Sequence, residues 1–325
     1  MTTEQEVFLR AFHASHPAVT ARAMSRGRAA DGRSSYAILR DRMAGRDRVL
    51  DLACGDGLLL ELLAEAGEGQ GSGGRGRELA GLDLSAEELA LARRRPGAGR
   101  ADLRVGRAQQ LPFQDGQFDG CVSHMALMLM SDAEQVAAEL ARVLEPGGVL
   151  AAVLGGGPGG DEAYERFLRL ARPLFDAAPA AKRIPLLGDR RLRSREGFDE
   201  VFGPAGFGPA EWETVAIDLT GSPEQVWETV SGIYDLGLFG AGATAELRAR
   251  FEAESAATAL PDGRIPCAMR VHIATVRRGC DGGDRRAGSP CAPVAASERG
   301  IQDTVSRTAG WGTAGWRTGC EQGQT

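Results

Sequence analysis

The sequence predicts an α/β fold in which helices flank a doubly wound, mostly parallel sheet of seven strands. Short apolar runs alternate with amphipathic helical segments five times between residues 46 and 155. Such alternation is typical of a parallel sheet with helices on both faces. Two further runs, 212–219 and 267–278, have strand-like patterns and bring the expected strands to seven.

The elements of the first half follow from local patterns. Helices are predicted at 4–24 and 33–45, before a first strand, RVLDLA, that ends in a glycine turn and a helix that ends at Gly67. Ser85 is a suitable N-cap for the helix after the second strand, and Glu88 predicts a capping box with it. The remaining strands of this half are predicted in LAGLDL, ADLRVGR, FDGCVSHMA and VLAAVL, the last after a turn at Glu145–Gly148.

In the second half of the chain the sequence predicts more helices than strands. They are expected at 161–176, 194–205, 223–238 and 243–257, the last two forming an insertion at about 222–259 between the last two strands. The aromatic residues of this insertion are either a helix core or a lid over an organic substrate: Trp227, Tyr234 and Phe239.

The domain organisation is read from composition. We expect an N-terminal helical cap at 1–45 and one domain at 46–278 that includes the insertion. The glycine-rich segment 67–77 is expected to be a surface loop, and 279–325, which lacks apolar periodicity, to be a disordered tail.

Charge and apolar patterning disfavour several classes of protein. The net charge of −6 argues against nucleic acid as a partner. The N-terminus lacks the apolar core of a signal peptide, and no run approaches the ~20 apolar residues that span a bilayer. We therefore expect a cytoplasmic protein with no membrane partner. The six cysteines include no CxxC pair, so no metal site is expected. The oligomeric state is left open.

The stretch VLDLACGDG at 49–57 places a glycine turn at the end of a buried strand. In a doubly wound sheet a ligand binds outside the carboxyl ends of the strands, and glycine lets the backbone approach it closely. A nicotinamide-binding turn requires G-x-G-x-x-G, but its third glycine would fall on Leu60, and Asp56 would repel a pyrophosphate. A dinucleotide is therefore disfavoured.

Four segments in order and spacing carry a family resemblance. Asp51–Gly57 has an acid, a small residue and two glycines in alternate positions, and an acid, Asp83, ends the second strand. The third segment is RAQQLPFQDGQFD (107–119), and the fourth is LEPGGVL (144–150). This arrangement resembles the class I S-adenosylmethionine (SAM)-dependent methyltransferases of the small-molecule type. The resemblance covers residues 46–155 well and 1–45 and 156–278 in outline.

The resemblance implies a Rossmann-like sheet, SAM as cofactor, and a set of contacts to it. Asp83 matches the acid that accepts both ribose hydroxyls, and Leu84 would cover one face of the adenine. SAM carries a sulfonium and an ammonium but no phosphate, so acids near the turn suit it. The residues expected to bind the cofactor are Tyr36, Asp51, Ala53, Cys54, Gly55, Asp56, Gly57, Asp83, Leu84, Ala108, Gln109 and Ser123.

One position departs from the family pattern. Where Arg107 stands, the family often has an acid that can hold the adenine amino group, and arginine cannot accept that hydrogen bond. Adenine would then depend on the backbone of Ala108, on Gln109 and on stacking.

Three histidines are candidate catalysts. His124 ends the fourth strand and is either a general base or a packed wall of the SAM site. His13 and His16 lie on the first helix, in the part of the chain that caps the substrate site in this family. His272, in the last strand, is expected to be structural.

The function implied is transfer of the SAM methyl group to an O, N or C atom of a small organic acceptor, such as a natural-product intermediate. Two alternatives stay open. A protein of this fold can catalyse a reaction other than methyl transfer, or it can be a non-enzymatic SAM-binding partner protein.

Overall fold

The computed structural model describes residues 3–67, 76–160, 163–179, 184–232 and 236–280 of the 325-residue chain. The strands are β1 (Arg48–Leu52), β2 (Glu78–Asp83), β3 (Asp102–Val105), β4 (Phe118–His124), β5 (Leu144–Pro158), β6 (Glu211–Asp218) and β7 (Ala268–Arg277). The helices are α1 (Glu4–Ser15), α2 (Val19–Met24), α3 (Ser35–Arg42), α4 (Leu58–Gly67), α5 (Ala86–Ala92), α6 (Ala133–Val143), α7 (Ala163–Ala177), α8 (Arg195–Phe202), α9 (Pro223–Ser231) and α10 (Gly240–Ala256).

The strands form one seven-stranded sheet in the order β3-β2-β1-β4-β5-β7-β6. The first five strands pair in parallel, and β7 runs antiparallel to both β5 and β6. The strand order reverses between β1 and β4, so their carboxyl ends border the crevice where ligands of such sheets bind. The predicted doubly wound, mostly parallel sheet is confirmed.

Both faces of the sheet are buried, as the apolar strands require. Val49, Val122 and Val153 face one apolar cluster, and the alternate residues Leu50 and Cys121 face the other. Cys54, Cys121 and Cys267 are all buried and contribute to the apolar core. Two packed faces fix the register of the central strands, because a shift of one residue would turn each side chain to the wrong face.

The N-terminal helices differ from the prediction. The helix expected at 4–24 is divided into α1 and α2, with Pro17 and a left-handed Ala18 (φ 59°) between them. The Ala18 N–H donates to the Glu88 carboxylate at 3.0 Å, a distant partner that local periodicity does not reveal. The helix expected at 33–45 is shorter, at Ser35–Arg42.

The turn predicted before the fifth strand is part of β5. This strand begins at Leu144, directly after α6, and its pairing with β4 shifts register between Phe118 and Gly120. Gly147 takes a positive φ of 81° within this irregular stretch. The expected break is therefore a bulge in a long strand.

The insertion between β6 and β7 contains α9 and α10, where helices were predicted. Trp227 is 7% exposed and packs against Phe167 and Phe251, with ring centroids 6.0 and 5.6 Å away. Trp227 therefore belongs to the helix core. Phe239 contacts Phe175 at 4.8 Å, and Tyr234 lies outside the described residues.

Two predicted segments lie outside the described residues in large part: 68–75 of the glycine-rich loop and 281–325 of the tail. Among the helices that are described, none is long and apolar enough to cross a membrane.

The packing of Trp227 gives a stability prediction. Trp227→Ala should lower the free energy of unfolding by about 3–5 kcal/mol, because it removes a large buried side chain from between two phenylalanines. Leu186→Ala, at a residue 68% exposed, is the control and should change it by less than about 0.5 kcal/mol. Denaturant titration measures both. If Trp227→Ala left the stability unchanged and raised the KM for the acceptor, the result would favour the interpretation of Trp227 as part of a lid over the substrate.

Candidate functional site

The turn after β1 is held in a conformation that suits small residues. Ala53, Gly55 and Gly57 have φ values of 60°, 52° and 78°. A Cβ on Gly57 would lie 2.8 Å from the Cβ of Ala92, so α5 packs too closely for any other residue. Ala53 tolerates a left-handed conformation at a cost of about 1–2 kcal/mol. The turn thus presents its backbone, without bulky side chains, to the crevice between β1 and β4.

Asp83 joins the turn to the end of β2. Its Oδ2 accepts the Gly55 N–H at 2.9 Å, and its Oδ1 accepts the Ser85 N–H at 2.8 Å. Burial raises the pKa of Asp83, and these two hydrogen bonds oppose that rise. A carboxylate has about four acceptor sites, so each oxygen keeps capacity for one more donor. Asp83 can therefore accept two further hydrogen bonds, one on each oxygen.

Of the two hydrogen bonds in the capping box predicted at α5, one forms and the other does not. Ser85 Oγ accepts the Glu88 N–H at 3.2 Å, as predicted. The Ser85 N–H, however, is bound by Asp83, so it is not available to the Glu88 side chain. Glu88 is buried and instead accepts hydrogen bonds from the Ala18 N–H and from His13 Nδ1, each at 3.0 Å. It holds α1 and α2 against the body of the protein.

Three buried polar atoms within the described ranges have no hydrogen-bond partner: Asp51 Oδ2, Ser123 Oγ and His124 Nδ1. Asp51 is paired in register with Val122, so the three residues lie near one another at the carboxyl ends of adjacent strands. Burial raises the pKa of Asp51 well above its ordinary value, and the neighbouring Asp83 and Asp56 raise it further. A buried polar atom without a partner is costly, so a ligand or a water molecule that bonds to it here would stabilise the protein.

The Asp56 side chain has a different role from the other acids of the turn. It forms an ion pair with Arg95, whose Nε also donates to the Asp56 carbonyl oxygen at 2.7 Å. Arg95 binds Glu61 as well, at 2.8 Å. The carboxylate of Asp56, one of the predicted cofactor contacts, is therefore engaged in fixing the turn to α4.

The segment after β3 contains the expected adenine contacts. Ala108 is buried, and Gln109 Nε2 donates to the Ser131 carbonyl oxygen at 2.7 Å. Arg107 Nε donates to Glu6 Oε1 of α1 at 2.8 Å. The residue that departs from the family pattern is thus paired with an acid from the N-terminal helix.

His124 is packed against α3. Its ring stacks on Tyr36 with centroids 3.7 Å apart, and its Nε2 lies 2.8 Å from Ser35 Oγ. Burial lowers the pKa of His124 to about 3 and raises the pKa of Tyr36. The imidazole is therefore neutral near pH 7, with Nδ1 unpartnered. These contacts are those of a wall, while the role as a base stays a prediction.

His13 lies in α1, and His16 follows its last residue as the C-cap. His13 bonds Glu88, and His16 stacks on Phe12 with centroids 4.8 Å apart while its Nδ1 lies 3.2 Å from the Phe12 carbonyl oxygen. In the last strand, His272 bonds Thr214 at 2.9 Å and contacts Trp212, a structural setting. Catalysis by His13 or His16 stays a prediction.

Sequence reasoning missed four residues that build the site: Glu6, Ser35, Glu88 in its bridging role, and Arg95. The spacing Thr3-x-x-Glu6 signals a capping box, which does form. No linear signal indicates that the same carboxylate reaches Arg107, which lies 101 residues away.

The hydrogen-bond acceptors at this end of the sheet fit SAM. The acids Asp51 and Asp83 offer free acceptor capacity to an ammonium and to vicinal hydroxyls, and a positive charge nearby would relieve the raised pKa of Asp51. Within the described residues no group of three or more His, Cys, Asp or Glu side chains could hold a metal ion.

Known proteins resemble this chain. The sequence profile of a family described as a methyltransferase domain matches residues 50–152. A demethylmenaquinone methyltransferase of Symbiobacterium thermophilum is 32% identical over 201 residues, which are 53% of this chain and 75% of the relative. A malonyl-[acyl-carrier protein] O-methyltransferase of Pectobacterium atrosepticum is 36% identical over 104 residues, 32% of this chain and 37% of the relative.

A solved structure shares the fold. The YcgJ protein of Bacillus subtilis superposes with a TM-score of 0.50 at 17% identity, covering 76% of this chain and 99% of that one. At this identity the likeness concerns the fold alone.

The burial of His124 predicts a pH dependence of stability. Its folded pKa of about 3 lies below the ordinary 6.5, so below pH 6.5 the unfolded chain takes up a proton that the folded protein does not. The wild type should lose up to about 1.4 kcal/mol per pH unit relative to His124→Gln between about pH 6 and pH 4.

Denaturant titrations of both proteins from pH 8 downwards measure this difference. At pH 8 the imidazole is neutral in both states, so the gap between the two proteins there is the reference. A gap that stays constant with pH would show that His124 is solvated.

Proposed function

The chain belongs to the class I SAM-dependent methyltransferases, and we propose that it methylates an O, N or C atom of a small organic acceptor, such as a natural-product intermediate. The observation that carries the proposal is the acid-rich crevice between β1 and β4. Asp51 has an unpartnered buried oxygen there, and Asp83 is held ready by two backbone N–H groups. These features suit a ligand with positive charge and two hydroxyls.

We assign the cofactor contacts on this basis. Asp83 accepts the ribose hydroxyls, and Asp51 faces the ammonium end of SAM. Gly55 and Gly57 allow the backbone to approach, while Leu84 and Ala108 flank the adenine. Tyr36 and His124 form a stacked wall of the site; burial raises the pKa of Tyr36, and the negative charges of Asp56 and Asp51 raise it further.

When bound, SAM supplies a methyl group already activated by its sulfonium. The work left to the protein is to align the acceptor with that methyl group and to exclude water. The only imidazole at the end of β4, His124, has a pKa of about 3, which makes it a weak proton acceptor. This supports an acceptor that is nucleophilic near pH 7 without help from a strong base.

The relatives support a small organic acceptor without choosing among them. One is named for demethylmenaquinone and the other for the malonyl group of an acyl carrier protein. The part of this chain that matches each is 53% and 32%, so the acceptor of either does not transfer to it. The acidic net charge of −6 supports a small molecule over a nucleic acid.

The cofactor assignment predicts the effect of removing one carboxylate. Asp83→Ala should weaken SAM binding by about 1.5–3 kcal/mol, the usual worth of hydrogen bonds to a charged group. Isothermal titration measures it, with circular dichroism as a check of folding. Asp115→Ala, at a carboxylate 82% exposed, is the control. A folded Asp83→Ala protein with normal affinity would remove Asp83 from the site.

The reaction itself is tested by transfer of label. The protein incubated with tritiated-methyl SAM and a fractionated small-molecule extract should produce labelled small molecules, and Asp83→Ala should produce far fewer. Label that enters only protein or nucleic acid, with none in the small-molecule fraction, would contradict the proposed acceptor class.

A further inference from the structure

Glu6, on the first turn of α1, is a buried carboxylate with an unusual position. It is 4% exposed, its Oε1 accepts from Arg107 Nε at 2.8 Å, and its Oε2 accepts from the Thr3 N–H at 2.9 Å. Burying a charge is costly unless it is paired and hydrogen-bonded. The cap of α1 requires only the contact between Glu6 and Thr3. It does not explain why the Glu6 carboxylate is buried against Arg107.

Arg107 lies beside the acid proposed for the ribose. The residue before it, Gly106, donates its N–H to the Asp83 carbonyl oxygen at 2.9 Å. A Cβ on Gly106 would lie 2.8 Å from Leu82 Cδ1, so this segment is pressed against the end of β2. Position 107 is also where the family pattern often has the acid that holds the adenine amino group. Glu6 therefore brings a carboxylate to the arginine side chain that stands at this position.

We propose that Glu6, oriented by Arg107, supplies the carboxylate that recognises the adenine amino group of the cofactor. This inference rests on the proposed SAM site. The amino group is a donor and needs an acceptor, which arginine cannot provide. Glu6 uses one bond on each oxygen within the protein and keeps acceptor capacity on both. Arg107 neutralises the carboxylate and fixes its orientation.

Three contacts hold α1 in the position that this role requires. Gln5 Oε1 accepts the Gly188 N–H at 3.3 Å near the start of the helix. At the other end, Glu88 binds His13 and the Ala18 N–H. The helix that carries Glu6 is therefore attached to the segment around Gly188 at one end and to α5 at the other, and the proposal makes the N-terminal cap part of the cofactor site.

A purely structural ion pair would stabilise α1 without distinguishing one base from another. The discriminating experiment compares S-adenosylhomocysteine with S-inosylhomocysteine, in which a carbonyl oxygen replaces the amino group. Wild type should bind the adenosyl compound about 10- to 100-fold more tightly, because the carboxylate accepts from an amino group and repels a carbonyl oxygen.

Glu6→Gln should abolish this preference. The carbonyl of the new amide would take the bond from Arg107. Its NH2 group would replace the oxygen that accepts the Thr3 N–H, so it loses that bond and can donate to the inosyl oxygen. Isothermal titration of both compounds should then give a ratio near one or inverted. Glu4→Gln is the matched control, since Glu4 lies exposed on the same helical turn and carries the same charge. Glu6→Gln with the wild-type ratio would overturn the proposal.

Two further variants keep the test decisive. Glu6→Gln/Arg107→Gln leaves no unpaired buried charge, and it should also lose the preference. Glu6→Gln/Arg107→Glu moves the carboxylate to position 107, and it should restore the preference. Failure of this restoration, in a folded protein that binds the adenosyl compound, would count against the proposal.

Failure of the underlying SAM site gives a different result. Asp83→Ala should weaken the two compounds equally, because both carry the same ribose. If wild type binds neither compound, the proposed cofactor site is wrong. If it binds both with equal affinity, the site stands and the role of Glu6 is wrong.

Discussion

Asp83 is the residue on which the geometry of the crevice depends. Its carboxylate binds the N–H groups of Gly55 and Ser85, and its carbonyl oxygen accepts the N–H of Gly106. The loops after β1, β2 and β3 are therefore joined through one residue. Parallel strands bring these loops to one edge of the sheet, but only such bonds set the distances between them. Because hydrogen bonds to a charged acceptor are about twice as strong as neutral ones, the charge of Asp83 is also structural.

The distribution of basic partners determines which acids face a ligand. Arg95 neutralises Asp56, Arg107 neutralises Glu6, and His13 bonds Glu88. Asp51 keeps a buried oxygen with no partner in the described part of the chain, and burial, together with the neighbouring Asp83 and Asp56, raises its pKa. The site thus has an excess of acidic groups over basic ones, which a cationic ligand would balance. A pyrophosphate would add to the negative charge of the site. This is the physical reason that the glycine turn does not suit a dinucleotide.

The sequence was sufficient for features that depend on neighbours along the chain. The strand ends, the glycine turn and the position of Asp83 follow from apolar periodicity and from residues within one turn of each other. It was insufficient where a distant group competes for a donor or acceptor. Glu88 was expected to cap its own helix, but Asp83 takes the Ser85 N–H, and Glu88 binds residues 70 and 75 positions earlier.

The same limitation explains Arg107. Considered as a linear pattern, it removes an acceptor from the adenine site, because nothing near it in the chain restores one. The fold places the carboxylate of Glu6, from 101 residues away, against the Arg107 side chain. Capping, apolar spacing and turn chemistry describe how each element begins and ends, but an ion pair between elements depends on how the elements pack.

The chemistry of the site follows from what burial does to its only central histidine. A stacked, desolvated imidazole with a pKa of about 3 is kept neutral, and it gains little by taking a proton at pH 7. Methyl transfer from a sulfonium needs no protonated catalyst, so a neutral wall of His124 and Tyr36 does not obstruct it. Such a wall excludes water and strengthens the attraction between a sulfonium and the carboxylates nearby. The features of the structure that would preorganise such a reaction are three loops joined at Asp83, a stacked wall of His124 and Tyr36, and a helix α1 fixed by the buried acids Glu6 and Glu88.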